Sequence, residues 1–165
     1  IVISVFGYLG DQKLAESSYE ESEKIITTNY VAHVAILRMI ANDFEKRKYG
    51  SIIGISSVAA ERGRKSNYTY GSAKAGFTTY LSGLRNRLYK RNVHVLTVHP
   101  GFVATKMTQH LTLPKRLTTT PNHVANIIFK AEQQKKNMIY ISWIWYYIML
   151  IIRHIPEWLF KKTNM

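Results

Sequence analysis

Cysteine is absent from the 165 residues, which removes disulfide frameworks and thiolate metal sites. That composition is compatible with a reducing cytoplasm. The six histidines, His33, His94, His99, His110, His123 and His154, are scattered without metal-ligand spacing, so no bound metal is expected. Acidic residues are scarce: ten stand against 23 lysines and arginines, for a net charge of +13. Five of those ten acids lie between Asp11 and Glu23, and the remainder of the chain is strongly basic. Three partners suit such a charge: nucleic acid, an anionic membrane surface, or an anionic substrate. A simply solvated basic face competes with all three. No helix-turn-helix, zinc-finger or RNA-binding signature accompanies the charge, so nucleic acid is set aside. The chain also lacks Gly-x-Gly-x-x-Gly and Gly-x-x-x-x-Gly-Lys, the glycine-rich turns that cradle phosphates at a helix start. A charged-then-apolar leader is not visible, and the first residue is Ile rather than Met. Repeats and low-complexity tracts are missing. Asn67-Tyr68-Thr69 matches a glycosylation acceptor, which without a secretory leader reads as a chance match.

What is present alternates strand and helix. Ile1 to Phe6 is a continuous apolar run of the kind found in buried parallel strands. A polar loop over 11–17 and a helix from Ser18 to Lys48 follow. Ser51 to Ser57 reads as a strand, Val58 to Asn67 as a polar loop, and Tyr70 to Lys90 as a helix. Val93 to His99 is a strand, and 101–119 a longer loop. Thr120 caps a helix with Pro121 in its first turn, running to Lys136. Ile139 to Ile141 is a short strand. This order predicts an α/β fold, a doubly wound parallel sheet, with 1–137 as its main body and 138–165 as a hydrophobic and basic tail.

Ser57, Tyr70 and Lys74 specify a reaction. The run Ile52 to Ile55 ends in two serines. Tyr70 follows the second serine by thirteen residues and Lys74 follows Tyr70 by four, the sole Tyr-x-x-x-Lys of the chain. Four residues on a helix place both side chains on one face. An ordinary phenol, with a pKa of about 10, exchanges protons poorly at neutral pH. A neighbouring ammonium favours the phenolate and is expected to lower that value. A serine hydroxyl at a strand end can hold the carbonyl oxygen that receives the proton.

This layout resembles the short-chain dehydrogenase/reductase family, whose serine, thirteen-residue gap and Tyr-Gly-Ser-Ala-Lys run all match Ser57 to Lys74. The resemblance implies a Rossmann-like fold and an NAD or NADP cofactor. It implies that Tyr70 protonates the substrate oxygen while hydride is delivered from the nicotinamide, and that Lys74 also binds the ribose. It gives Asn29, in mid-helix, a water in a proton relay. It puts Gly7, Pro100, Gly101, Val103 and the Thr105 hydroxyl on the cofactor. Where the family usually carries Asn-Asn-Ala-Gly, this chain reads Ser4-Val5-Phe6-Gly7, so whatever the two amides stabilise must be supplied otherwise. The family carries its glycine-rich turn and three strands before the segment that begins here. The expectation is therefore a fragment, binding cofactor poorly alone, with an exposed apolar edge at Ile1 to Phe6. Homo-oligomers formed through the two long helices are implied as well.

The tail narrows the resemblance. Met138 to Ile152 is an uncharged stretch of fifteen residues, and all three tryptophans lie beyond it or within it, at Trp143, Trp145 and Trp158. As a helix it would reach about 22 Å, short of a hydrocarbon core of roughly 30 Å. Two readings stand: an interfacial segment edged by Arg153, Lys161 and Lys162, or a strand and helix packed on the sheet. Phe6 to Gln12, Ala60 to Gly76 and Arg153 to Lys162 together resemble reductases of decaprenylphosphoryl-2-keto-pentose. That implies a small-molecule or lipid-linked carbonyl substrate, and a cytoplasmic protein placed at the inner face of the membrane if the tail touches it. Arg62 and Arg64, between Ser57 and Tyr70, can meet a substrate phosphodiester or form a solvated turn. The competing function class is a non-catalytic, membrane-attached scaffold on the same fold.

Overall fold

The computed structural model describes residues 1–109 and 111–163; His110 lies outside them. Four parallel strands form one sheet in the order β1-β2-β3-β6: β1 Val2–Ser4, β2 Gly50–Ile55, β3 Val93–His99 and β6 Met138–Tyr140. The β2–β3 register runs from Gly50 opposite Val93 to Ile55 opposite Val98. Both faces of the central strands β2 and β3 are buried, which is why they read as continuous apolar runs rather than alternating ones. Successive side chains point to opposite faces. Ile52 and Val95 pack with Leu37, Ala41, Phe44, Phe77 and Leu81. Ile53, Leu96 and Val98 pack with Ile128, Ala131, Ile139 and Ile141 on the other side. The expected doubly wound α/β architecture is thus observed.

Helices α3 (Ala32–Arg47) and α4 (Tyr68–Leu88) supply the first layer, and α5 (Pro121–Gln133) the second. Thr120 caps α5 by accepting from the His123 amide at 3.4 Å. Lys48 and Asn92, with φ of 59° and 53°, end the helical layer in left-handed turns that lead directly into β2 and β3.

Three segments depart from the sequence reading. The polar stretch after Gly10 contains one helical turn, α1 (Gln12–Ala15), because Asp11 accepts from the Lys13 and Leu14 amides. The long helix divides into α2 (Tyr19–Ile26) and α3 around a π-helical turn, Thr27–Val31. The loop at 101–119 holds a two-residue parallel pair, β4 (Phe102–Val103) with β5 (Thr118–Thr119). In the tail, Met138–Tyr140 joins the main sheet as β6 beside β3. The chain continues as α6 (Trp143–His154) and α7 (Glu157–Phe160). Trp145, Met149 and Ile152 of α6 are buried against Val58. Trp143, Tyr147 and Ile151 on its outer side are 72%, 55% and 67% exposed. Among the described residues no helix is long and apolar enough to cross a membrane. Ile1, Ile3 and Val5, at the β1 edge of the sheet, are exposed.

Candidate active site

The site assembles where β1, β2 and β3 end, at the carboxyl side of the sheet, the usual ligand side of open parallel sheets. β2 runs out at Ile55. Ser56 turns the chain: its amide donates to the Val98 carbonyl at 2.9 Å, and its hydroxyl lies 2.6 Å from Thr78 Oγ1. Ser57 then caps a short 3-10 turn, Val58–Glu61, its Oγ accepting from the Ala59 amide at 3.1 Å. That leaves its O–H hydrogen to donate elsewhere. The Ser57 carbonyl is held by His99 Nδ1 at 3.1 Å, and the Val58 amide donates to the Pro100 carbonyl at 3.0 Å. The strand-ending turns after β2 and β3 are therefore tied to each other.

Tyr70 and Lys74 occupy the first turns of α4. Lys74 is 4% exposed, and its ammonium donates to the Ile55 carbonyl at 3.0 Å and stands 5.9 Å from the Tyr70 ring centroid. Ser57 lies close enough to the Tyr70 phenol to stabilise its ionised form. The serine, tyrosine and lysine picked out by spacing thus meet. The spacing argument predicts a phenol made more acidic by Lys74, and here the balance differs. Burial pushes Tyr70 up to about 12, and the Ser57 hydroxyl only partly offsets it. The same burial pulls Lys74 down to about 8. Both groups are desolvated, and the dry environment penalises each charge more than their separation rewards it.

Gly7 lies at the centre of this arrangement. A Cβ there would fall 3.0 Å from Asn29 Oδ1, 3.6 Å from Lys74 Nζ and 3.6 Å from Met107 Cε. The backbone at Gly7 thus passes so close to Asn29 that a side chain there would crowd its amide, with the Lys74 ammonium and the turn that follows Thr105 at van der Waals distance. Asn29 sits in the π-helical turn, a local rearrangement often found at functional sites. Its Nδ2 donates to the Tyr8 carbonyl at 2.6 Å and to the Ile25 carbonyl at 2.8 Å, and its Oδ1 accepts from the Tyr8 amide at 3.2 Å. Both amide hydrogens are therefore spent on backbone, and Oδ1 is the atom that faces Gly7.

His33 is a site residue that the sequence reading passed over. It lies one turn beyond Asn29 on the same helix, and its ring is stacked between Phe6 at 3.9 Å and Phe77 at 4.1 Å. Nδ1 lies 2.6 Å from Ser4 Oγ, and Nε2 lies 3.1 Å from the Phe6 carbonyl. The carbonyl can only accept, so Nε2 carries the proton and Nδ1 accepts from Ser4. His33 and Asn29 together hold Phe6, Gly7 and Tyr8. They supply the support that the missing amides leave to other residues. The available signal was the i, i+4 spacing of two polar groups on an otherwise apolar face.

Burial, followed by the charge of Lys74, pushes His33 down to about 4. Its unfolded value is about 6.5, so the unfolded chain binds the extra proton first as pH falls. The stability from neutral His33 is complete above that unfolded value and is lost as pH drops toward 4, about 3 kcal/mol at most. Urea midpoints at pH 7.5 and 5.0 should differ accordingly. His33→Phe, which keeps the stack, should shrink that difference; an unchanged pH slope in the variant would refute the assignment.

The remaining sequence candidates divide. Gly101 lets the Trp145 indole lie where a Cβ would sit, 1.9 Å from its Nε1. Val103 pairs with Thr119 in β4–β5. Thr105 is exposed and caps the Lys106–Thr108 turn, its side chain accepting from the Thr108 backbone. Arg62 is drawn away from a phosphodiester role. Its Nη1 donates to the Ile152, Arg153 and Ile155 carbonyls at 2.8, 3.2 and 2.5 Å, and its Nη2 to Glu157 at 2.8 Å. The solvated-turn alternative fails as well, since the Arg62 side chain is only 14% exposed. Arg64 Nε is buried without a hydrogen-bond partner among the described residues, and burial lowers its pKa.

Residues 1–116 match the family model described as short chain dehydrogenase. An uncharacterized oxidoreductase of Mycobacterium tuberculosis (strain H37Rv) is 36% identical over 160 residues, covering 97% of this chain and 64% of the relative. The 3-oxoacyl-[acyl-carrier-protein] reductase FabG of Chlamydia pneumoniae is 28% identical over 84% of this chain and 60% of its own length. The chain thus spans less than two thirds of these relatives. Among solved structures, a short chain dehydrogenase from Burkholderia cenocepacia in complex with NADP superposes with a TM-score of 0.83 at 19% identity, covering 97% of this chain and 66% of that one. One from Sphingobium yanoikuyae in complex with NADPH gives 0.80 at 18% identity, over 94% of this chain and 65% of that one. With the fold, the family match and the meeting of Ser57, Tyr70 and Lys74 in agreement, the chain belongs to the short chain dehydrogenase family.

Proposed function

We propose that this chain carries the catalytic half of an NAD(P)-dependent carbonyl reductase, with residues 1–137 as the catalytic body and 138–165 as a tail. The observation that carries the reading is the convergence of Ser57, Tyr70 and Lys74 beside Gly7. For a nicotinamide bound there, Lys74 and Tyr70 would hold the ribose, and Pro100, Gly101, Val103 and Thr105 the carboxamide side. The chain has no glycine-rich turn for the adenosine half. NADP is favoured over NAD because structural neighbours hold NADP or NADPH.

When bound, the reduced nicotinamide supplies hydride to a carbonyl carbon. Ser57 donates its hydroxyl hydrogen to the carbonyl oxygen and orients it. Tyr70, protonated across neutral pH, gives its proton to that oxygen and completes the secondary alcohol. Lys74 stabilises the phenolate left behind, which regains a proton by way of Lys74 and Asn29.

The finer reading is a polyprenyl-phosphate-linked 2-keto sugar of the decaprenylphosphoryl-2-keto-pentose type, for which the net charge of +13 and the three resembling stretches speak. Arg64, with its unpartnered buried Nε, is the arginine left for a phosphodiester. The outer side of α6, with exposed Trp143, Tyr147 and Ile151, and Trp158 on α7 beside Lys161 and Lys162, supports peripheral contact with an anionic membrane. Exposed Ile36 and Met39 on α3 support self-association.

The test is NADPH depletion by the full-length gene product with lipid-linked keto sugars, steroids and simple ketones. The expected result is turnover of the lipid-linked keto sugar well above the neutral ketones. Turnover of simple ketones alone would remove the lipid reading. No turnover on any substrate, with cofactor bound, would leave the scaffold reading.

A further inference from the structure

We propose that Glu61 and Arg62 are positioning residues that fasten the Ser57 turn to the C-terminal helix, so that the seating of the tail sets the geometry of the serine. Ser57 opens the 3-10 turn, and Glu61 closes it. The Ala59 amide bonds to Ser57 Oγ and the Ala60 amide to the Ser57 carbonyl, both at 3.1 Å. Any movement at 58–61 is therefore passed to the serine through two short links.

Apart from His99 and the packing of α4 beside it, the contacts that anchor the far end of this turn come from residue 140 onward. The Glu61 side chain is only 7% exposed. One carboxylate oxygen accepts from the Tyr140 hydroxyl and lies 3.9 Å from His99 Nδ1, and the other is 3.3 Å from Arg153 Nε. His99 also holds the Ser57 carbonyl and stacks on Tyr140 at 5.2 Å. Arg62 meets the last carbonyls of α6, where a helix has acceptors without internal partners and a negative dipole end. It also bridges to Glu157 and lies 3.9 Å from the Phe160 ring. Val58 packs against Trp145, Met149 and Ile152. A buried carboxylate and a nearly buried guanidinium, adjacent in sequence and both aimed at the tail, exceed what a solvated connection between a strand and a helix requires.

The inference rests on the reading of Ser57 as catalytic, and two measurements on the full-length gene product keep the questions apart. The first is hydrogen exchange of the Ala59 and Ala60 amides in Arg62→Met, Glu61→Gln and Tyr140→Phe. Exchange there should rise at least about tenfold over wild type while α3 and β3 remain protected. The second is ketone reduction with NADPH. kcat should fall about 10- to 100-fold, the order expected for a misplaced catalytic group, with KM for NADPH within about twofold. A role confined to stability would lower Tm and leave kcat of the folded enzyme alone.

Glu61→Gln and Tyr140→Phe are isosteric and carry the test if Arg62→Met fails to fold. Unchanged exchange at Ala59 and Ala60 in these folded variants would overturn the proposal, as would unchanged kcat. If no substrate is turned over, the redox reading fails, and exchange alone still decides whether the tail holds the turn.

Discussion

Replacing Tyr70 with phenylalanine is expected to lower ketone reduction by about a thousandfold, within the range of 10²–10⁴ that a positioned proton donor contributes, while Kd for NADPH rises by no more than about tenfold, the loss of one ribose hydrogen bond. The phenylalanine ring keeps the shape of α4 at this point and removes only the hydroxyl beside Ser57. Burial holds that hydroxyl at about 12, so it is protonated at every pH where the protein is handled. Reduction, which needs the Tyr70 proton and the charged Lys74, should run flat from pH 6 to about 7 and fall as Lys74 loses its proton around 8. Alcohol oxidation, which needs the phenolate, should rise with pH up to the same point and level off beyond it. Stopped-flow reduction and cofactor fluorescence titration on the same preparation check both halves. Residual turnover above about a tenth of wild type would remove Tyr70 from the proton-transfer step.

The sign of the Tyr70 shift shows where sequence reasoning reaches its limit. Spacing placed Tyr70, Lys74 and Ser57 in one site because helix and strand periods are fixed by backbone geometry. Spacing carries no information on desolvation, which depends on every side chain packed around the group. The same limit explains Arg62. A basic residue beside a catalytic serine looks like a substrate contact until α6 is seen to end against it, 90 residues away in sequence. The central strands β2 and β3 were legible because both faces are buried, and α5 because Thr120 and Pro121 mark its start. The break between α2 and α3 was not, since Asn29 replaces a backbone bond with its own amide at Ile25, a choice no propensity encodes. In the tail, the stripe Trp145, Met149 and Ile152 decides which face of α6 is covered. The uncharged run alone left open whether it packs on the sheet or meets a lipid surface; the helix in fact buries one face against Val58 and leaves Trp143, Tyr147 and Ile151 exposed.

Lys74→Met should separate function from stability. Activity should fall at least about a hundredfold, because nothing then stabilises the Tyr70 phenolate. Stability at pH 7 should nonetheless hold or rise. The folded pKa of Lys74 is about 8, against about 10.5 for an ordinary lysine. The unfolded chain therefore favours the bound proton more than the folded one does. The resulting cost, about 3 kcal/mol at most, applies in full below pH 8 and is relieved as pH rises toward 10.5. Methionine keeps most of the stem and removes the charge, but it leaves the Ile55 carbonyl without its donor, a loss of about 1–3 kcal/mol. The two terms nearly cancel, with a small net gain expected. The wild-type urea midpoint should climb between pH 8 and 10, and that climb should vanish in the variant. A large loss of stability at pH 7, with the alkaline climb intact, would mean that the Lys74 ammonium is well accommodated in its pocket.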